Sequence, residues 1–103
     1  MTKSAADKIA AELATERLRQ IRDEGWSADH DDEHGRGVLP KAAMSYCQSA
    51  SVGLIDTSIL AGKPPTYWPW DAKWWKPKTA RRDLVRAGAL IIAEIERLDR
   101  ETP

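Results

Sequence analysis

The chain has one cysteine, two histidines, no phenylalanine and no net charge, and each shortage narrows what it can be. A single thiol, Cys47, cannot form an intramolecular disulfide, which fits a reducing cytoplasm. In an apolar helical run it is expected to be a buried, inert thiol. No stretch reaches the roughly eighteen consecutive apolar residues that a membrane helix needs. The N-terminal MTKSAADKIAAELATERLRQ is studded with charges where a signal peptide would be apolar. The expectation is a soluble cytoplasmic protein with no membrane partner. Sixteen acidic residues balance sixteen basic ones, so sequence-specific nucleic acid is not an expected partner. A Gly-rich phosphate loop, a serine nucleophile elbow, paired zinc cysteines and a basic recognition helix are all missing. No catalytic residue and no cofactor are therefore assigned, and a binding role is preferred to an enzymatic one. With 103 residues the chain makes one domain, residues 1–103, with one modest core.

Tryptophan is what the chain has in excess. Four of its five tryptophans, Trp68, Trp70, Trp74 and Trp75, fall in the stretch from Pro64 to Lys78. Pro64, Pro65, Pro69 and Pro77 remove backbone donors and fix φ, so most of this stretch cannot be helical and must lie as an aromatic strap. Indoles bury large areas and carry a polar N–H, so such a strap either seals a core or walls a pocket. A chain this short has limited core volume, and one or two of the four are expected to face a groove. Exposed indole surface of this kind also predicts a homo-oligomer.

Around the strap the sequence predicts an all-α domain of three helices, 4–24, 40–52 and 79–100. The strap and an acidic loop pack over one end. Ser4 can cap the first helix together with Asp7, and Gly25 is its natural stop. Its apolar stripe runs through Ile9, Leu13, Arg17 and Ile21, with Leu18 beside it. Pro40 suits the first turn of the second helix, whose Ala42, Ala43 and Ala50 allow close packing, and Gly53 is its expected end. Residues 56–61 can form one short turn. Thr79 is the expected cap of the last helix, in which Leu84, Gly88, Ile91, Ile95 and Leu98 recur at intervals of four, three, four and three. That stripe is expected to face the core, with Glu94–Arg97 and Glu96–Arg100 pairs outside. Gly88 implies close packing by a tryptophan or by the second helix.

The charge is unevenly distributed. Residues 23–33 hold six acids and no Lys or Arg, whereas residues 63–86 hold seven basic residues against Asp71 and Asp83. The two blocks are expected to meet, with Arg81 or Arg82 paired to Asp31 or Asp32. Within the acidic block, His30 and His34 are four apart among Asp29, Asp31, Asp32 and Glu33. Such a cluster can ligate a divalent ion, but a solvated or Arg-paired loop is the preferred account of it, and no metal site is assigned.

At Ile21-Arg22-Asp23-Glu24-Gly25-Trp26, then Asp31-Asp32-Glu33-His34 and Leu39-Pro40, the chain resembles the ryanodine-receptor repeat domain. The likeness covers residues 13–44, with Leu84 to Leu98 standing where that family's closing helix would be. The Glu-Gly-Trp, Asp-Asp-x-His and Trp-Pro-Trp-Asp-x-x-Trp-Trp-Lys-Pro patterns also resemble small proteins of tailed phages and prophages. The first resemblance implies adenine-nucleotide binding against tryptophan, carried by Trp26, Asp31, Asp32 and His34. The second implies a phage accessory protein acting in the host cytoplasm.

Residue chemistry points the same way. Aromatic faces stack on bases, and Lys76, Lys78, Arg81 and Arg82 stand near a helix start that offers amides to phosphate. The expected function is binding of a small nucleotide or nucleotide-derived signal, in a phage setting its sequestration from host defence. Trp26, Trp68, Trp70, Trp74 and Trp75 are the candidates for stacking, and Lys78, Arg81 and Arg82 for phosphate. Two alternatives stay open. One is a metal-dependent nucleotide hydrolase built on His30, Asp31, Asp32 and His34; the other is an accessory protein whose strap docks on a protein partner.

Overall fold

The computed structural model describes residues 3–29, 36–55 and 63–101. Its regular structure there is three helices, α1 (Ala5–Glu24), α2 (Val38–Ile55) and α3 (Ala80–Glu101), with one 3-10 turn at Ala72–Trp74. The domain is all-α, and no strand occurs among the described residues.

Local chemistry sets the helix ends. The Ser4 hydroxyl accepts from the Asp7 amide at 3.1 Å and the Asp7 carboxylate accepts from the Ser4 amide at 3.4 Å, a closed capping box. Gly25 takes φ 72°, a left-handed stop, and its amide and that of Trp26 turn back to the Gln20 carbonyl. α2 begins at Val38, so Pro40 is third in the first turn, where its missing N–H would have had no intrahelical partner. The helix continues through a buried Gly53 to Ile55, past its expected end. Thr79 caps α3 by accepting from the Arg82 amide at 3.2 Å. The turn expected at 56–61 lies outside the described residues.

α2 and α3 run antiparallel. Arg36, just before α2, bonds Glu101 at the end of α3, while Ser49 donates to Asp83 in the first turn of α3 at 3.0 Å. The core lies between them, where Leu39, Ala42, Ala43 and Tyr46 meet Ala87, Leu90 and Ala93. α1 joins α3 by different means, since its buried residues are Glu16, Arg17 and Gln20. Leu13 of α1 fills the notch at Gly88, its δ-carbons 2.8 and 3.0 Å from where a Cβ would stand. The close neighbour of Gly88 is thus Leu13, not a tryptophan or α2.

Several expectations are corrected. The predicted inward stripe of α3 faces outward: Leu84, Ile91, Ile95 and Leu98 are 43–53% exposed, while Val85, Ala87, Ala89, Leu90 and Ala93 are buried. Small residues on both α2 and α3 let the two backbones approach closely, and that contact rotates the large aliphatics of α3 away. Likewise Ile9 and Leu18 of α1 are exposed. Cys47 is exposed rather than buried, although desolvation of its sulfur pushes the thiol pKa up, so it is not an activated nucleophile. Finally, Glu96 is turned to α1, accepting from Arg17 at 3.1 Å; the expected Glu94–Arg97 pair does form, at 2.7 Å, but Arg97 is buried rather than outside and also binds Glu101 at 2.6 Å.

Candidate functional site

From Pro65 the chain makes two tight turns. The Trp68 amide donates to the Pro65 carbonyl at 3.0 Å and the Trp68 indole N–H to the Asp71 carbonyl at 3.2 Å. The Asp71 carboxylate accepts from the Lys73 amide at 2.9 Å, and the amides of Trp74 and Trp75 donate to the carbonyls of Asp71 and Ala72, each at 3.0 Å. These turns divide the tryptophans by side. Trp68 and Trp75 are 8% exposed and belong to the core, whereas Trp74 is 54% exposed. The exposed indole surface expected to drive association is therefore mostly Trp74.

Tyr46 of α2 is the hub of the aromatic cluster. It stacks on Trp75 with centroids 4.9 Å apart and planes at 27°, and meets Trp68 edge-on at 5.6 Å. Trp68 contacts Trp75 at 4.9 Å and Trp70 at 5.2 Å, and Trp70 contacts Trp26 at 5.1 Å. These T-shaped and tilted pairs match the ring quadrupoles. The Arg86 guanidinium lies 5.6 Å from the Tyr46 centroid and donates to the Lys76 carbonyl. Burial pushes the Tyr46 phenol up, with Arg86 opposing.

At the far end of this chain of rings is a cleft of about 260 Å³ lined by Glu24, Trp26, Trp70, Asp71 and Trp74. Its inner wall is braced from behind. Arg17 donates to the Trp26 carbonyl at 2.8 Å and to Glu96 of α3 at 3.1 Å, which fixes where the chain leaves α1. At the outer wall, the Lys73 and Lys76 ammonium groups lie 5.4 and 5.8 Å from the Trp74 ring centroid.

The structure thus brings Trp70 and Trp74 of the strap together with Trp26 from the end of α1, and leaves Trp68 and Trp75 in the core. The Lys78 amide donates to the buried Asp83 carboxylate at 2.8 Å. Arg81 holds Glu12 of α1 with two bonds of 2.7 and 2.8 Å, and Arg82 bonds Glu16. These glutamates are the partners of the two arginines expected to face Asp31 or Asp32. Asp31, Asp32 and His34, with His30, lie outside the described residues, and so does the metal cluster weighed there. Among the described residues no group of three or more His, Cys, Asp or Glu side chains could hold a metal ion. No described helix is long and apolar enough to cross a membrane.

Glu16 shows how strongly the arginines are engaged. Its burial opposes ionisation, yet hydrogen bonds from Arg19 and Arg82 outweigh that and hold its carboxyl below the usual glutamate range. Sequence reasoning missed Glu24 and Asp71 as lining residues; the available signal was that each acid stands within two residues of a site tryptophan, in Glu24-Gly25-Trp26 and Trp70-Asp71. No family model, curated protein or solved structure matches this chain, so its functional reading rests on the chemistry of the cleft.

Proposed function

We propose that the protein binds a small nucleotide, with the base in the cleft between Trp26, Trp70 and Trp74 and the phosphate at Lys73 and Lys76. The observation that carries this reading is the pairing of three indoles with two carboxylates in a space of about 260 Å³. That volume sits just below the roughly 300–1,000 Å³ of pockets that enclose drug-sized ligands, so it suits one flat ring system with its polar tail outside. Indole faces stack on any base, at roughly 1–3 kcal/mol per base. Carboxylates are acceptor-only, so Glu24 and Asp71 select rings that present N–H donors, as the amino and imino edges of purines do. The two lysines beside Trp74 supply the positive charge that Arg81 and Arg82 have committed to α1. Held without turnover, a signalling nucleotide would be sequestered, the role expected of a phage-encoded protein.

The acidic lining also favours a second reading, an organic cation such as a quaternary ammonium group, since aromatic walls with carboxylates attract such cations. One experiment addresses both. Calorimetry and tryptophan fluorescence would be run against mono-, di- and cyclic nucleotides and against choline and a trimethyl-lysine peptide. Saturable nucleotide binding that is lost in Trp74→Ala and weakened in Lys73→Ala supports the nucleotide reading. Binding of the cations alone replaces it with the second, and no binding in either panel ends both.

A further inference from the structure

The two carboxylates that line the cleft, Glu24 and Asp71, are engaged differently, and the difference bears on which base the cleft takes. Asp71 is half committed to the strap: its Oδ1 accepts from the Lys73 amide at 2.9 Å and caps the 3-10 turn. Glu24 is held at one oxygen only. Its Oε1 accepts from Arg19 at 3.3 Å, and that guanidinium is forked onto Glu16 at 2.8 and 2.9 Å, so the bond to Glu24 is the longest of the three. Among the described residues no donor reaches Oε2 of Glu24. Such a carboxylate presents two acceptors side by side and no donor.

Position adds a direction. Glu24 ends α1 on the Trp26 wall, whereas Lys73 and Lys76 lie at Trp74 on the other wall. A nucleotide with its phosphate at the lysines therefore turns the base edge remote from its sugar toward Glu24. The common bases differ at that edge. Guanine alone sets two donors next to each other there, its ring N1–H and the amino group on C2. Adenine and cytosine set an amino donor beside a bare ring nitrogen, whose lone pair would face a carboxylate oxygen, and uracil flanks its one N–H with two carbonyls. Resting on the nucleotide reading above, we infer that the cleft selects guanine nucleotides. Glu24 accepts from N1–H and from the C2 amino group, as a carboxylate accepts from the fork of an arginine. Trp26, Trp70 and Trp74 supply stacking, which tolerates any base, so Glu24 determines specificity and the indoles determine affinity.

The test is calorimetry on the whole chain with guanine, hypoxanthine and adenine nucleotides in monophosphate, diphosphate and cyclic form. Guanine nucleotides are expected to bind roughly ten- to a hundredfold tighter than adenine ones, the discrimination of one good bidentate pair. Hypoxanthine, which keeps N1–H and lacks the amino group, is expected to fall between them. Glu24→Gln exchanges one acceptor for a donor and so complements the amino group and bare N1 of adenine. It is expected to weaken guanine binding and strengthen adenine binding at an unchanged melting temperature, a crossing that a loosened fold cannot produce. Equal binding of guanine and adenine by the wild-type chain overturns the guanine assignment and leaves the nucleotide reading standing. So does a Glu24→Gln chain that keeps the guanine preference or shifts both bases alike. Absence of binding by every nucleotide in the series removes both readings.

Discussion

Ser49 of α2 donates its hydroxyl to the Asp83 carboxylate of α3 at 3.0 Å, and that carboxylate, fully buried, also accepts from the Lys78 amide at 2.8 Å. One side chain therefore ties the second helix, the exit of the strap and the start of the third. Replacing Asp83 with Ala leaves two donors without an acceptor. A buried polar group that loses its partner costs about 1–3 kcal/mol, so Asp83→Ala is expected to destabilise by about 2–4 kcal/mol in urea titrations. Asp83→Asn keeps one acceptor and is expected to lose less.

Glu16 sets a pH dependence. Its folded carboxyl is held below its unfolded value by Arg19 and Arg82, so the stabilisation is complete above the unfolded glutamate range and is lost as the pH falls through the lower, folded value. Thermal melts from pH 7 down to 2 are expected to show an acid limb that Glu16→Gln flattens. Arg82→Ala, which takes one partner from a buried carboxylate, is expected to cost more than the roughly 1 kcal/mol upper range of exposed pairs. Arg81→Ala, at the exposed pair with Glu12, should change the melting temperature far less.

Gly88 and Leu13 form a coupled pair. Alanine is better than glycine in a helix interior by about 1 kcal/mol, but its Cβ would stand 2.8 Å from a Leu13 methyl carbon. Leu13 is only half-buried and can swing aside, so Gly88→Ala alone is expected to be close to neutral. In a Leu13→Ala background the same change should stabilise by about 1 kcal/mol. A double-mutant cycle by denaturant unfolding gives the coupling directly.

Adjacent tryptophans should behave in opposite ways. Trp75, stacked on Tyr46 and 8% exposed, is a core residue, and Trp75→Ala is expected to cost about 3–5 kcal/mol, as buried aromatics do. Trp74→Ala removes a mostly exposed cleft wall and is expected to leave the melting temperature nearly unchanged while abolishing ligand binding. Unfolding curves and fluorescence titrations on the two variants check the division.

Caps and breakers were the most legible part of the sequence, because Ser4, Asp7, Gly25 and Thr79 act within three or four residues of themselves. The strap was legible too, since proline restricts its own φ whatever surrounds it. Which side of α3 turns inward was not. Period alone marks Leu84, Ile91, Ile95 and Leu98 as the apolar face, but the buried side combines alanines and Arg97 with Asp83 and Arg86, whose partners, Ser49 and the Lys76 carbonyl, lie outside the helix. The same holds for the cleft. Trp26 and Trp70 could be nominated singly, whereas Glu24 and Asp71 become lining residues only once the end of α1 and the strap are brought together.

The way α1 is attached bears on what the cleft can sense. Its buried contacts are Glu16, Arg17 and Gln20, held to the rest of the molecule largely by ion pairs, whereas α2, α3 and the strap share the apolar core. Salt weakens an exposed pair such as Arg81–Glu12 and leaves the apolar core almost untouched. α1 is therefore expected to open as a unit before the remainder does, with native-state hydrogen exchange as the check. Glu24 ends α1 and Trp26 follows it, while Trp70, Asp71 and Trp74 remain with the strap. Each opening thus splits the cleft down its middle. A ligand seated there acts as a rivet: whatever it gains from both walls is added to the docking of α1, and whatever loosens α1 is subtracted from the ligand's affinity.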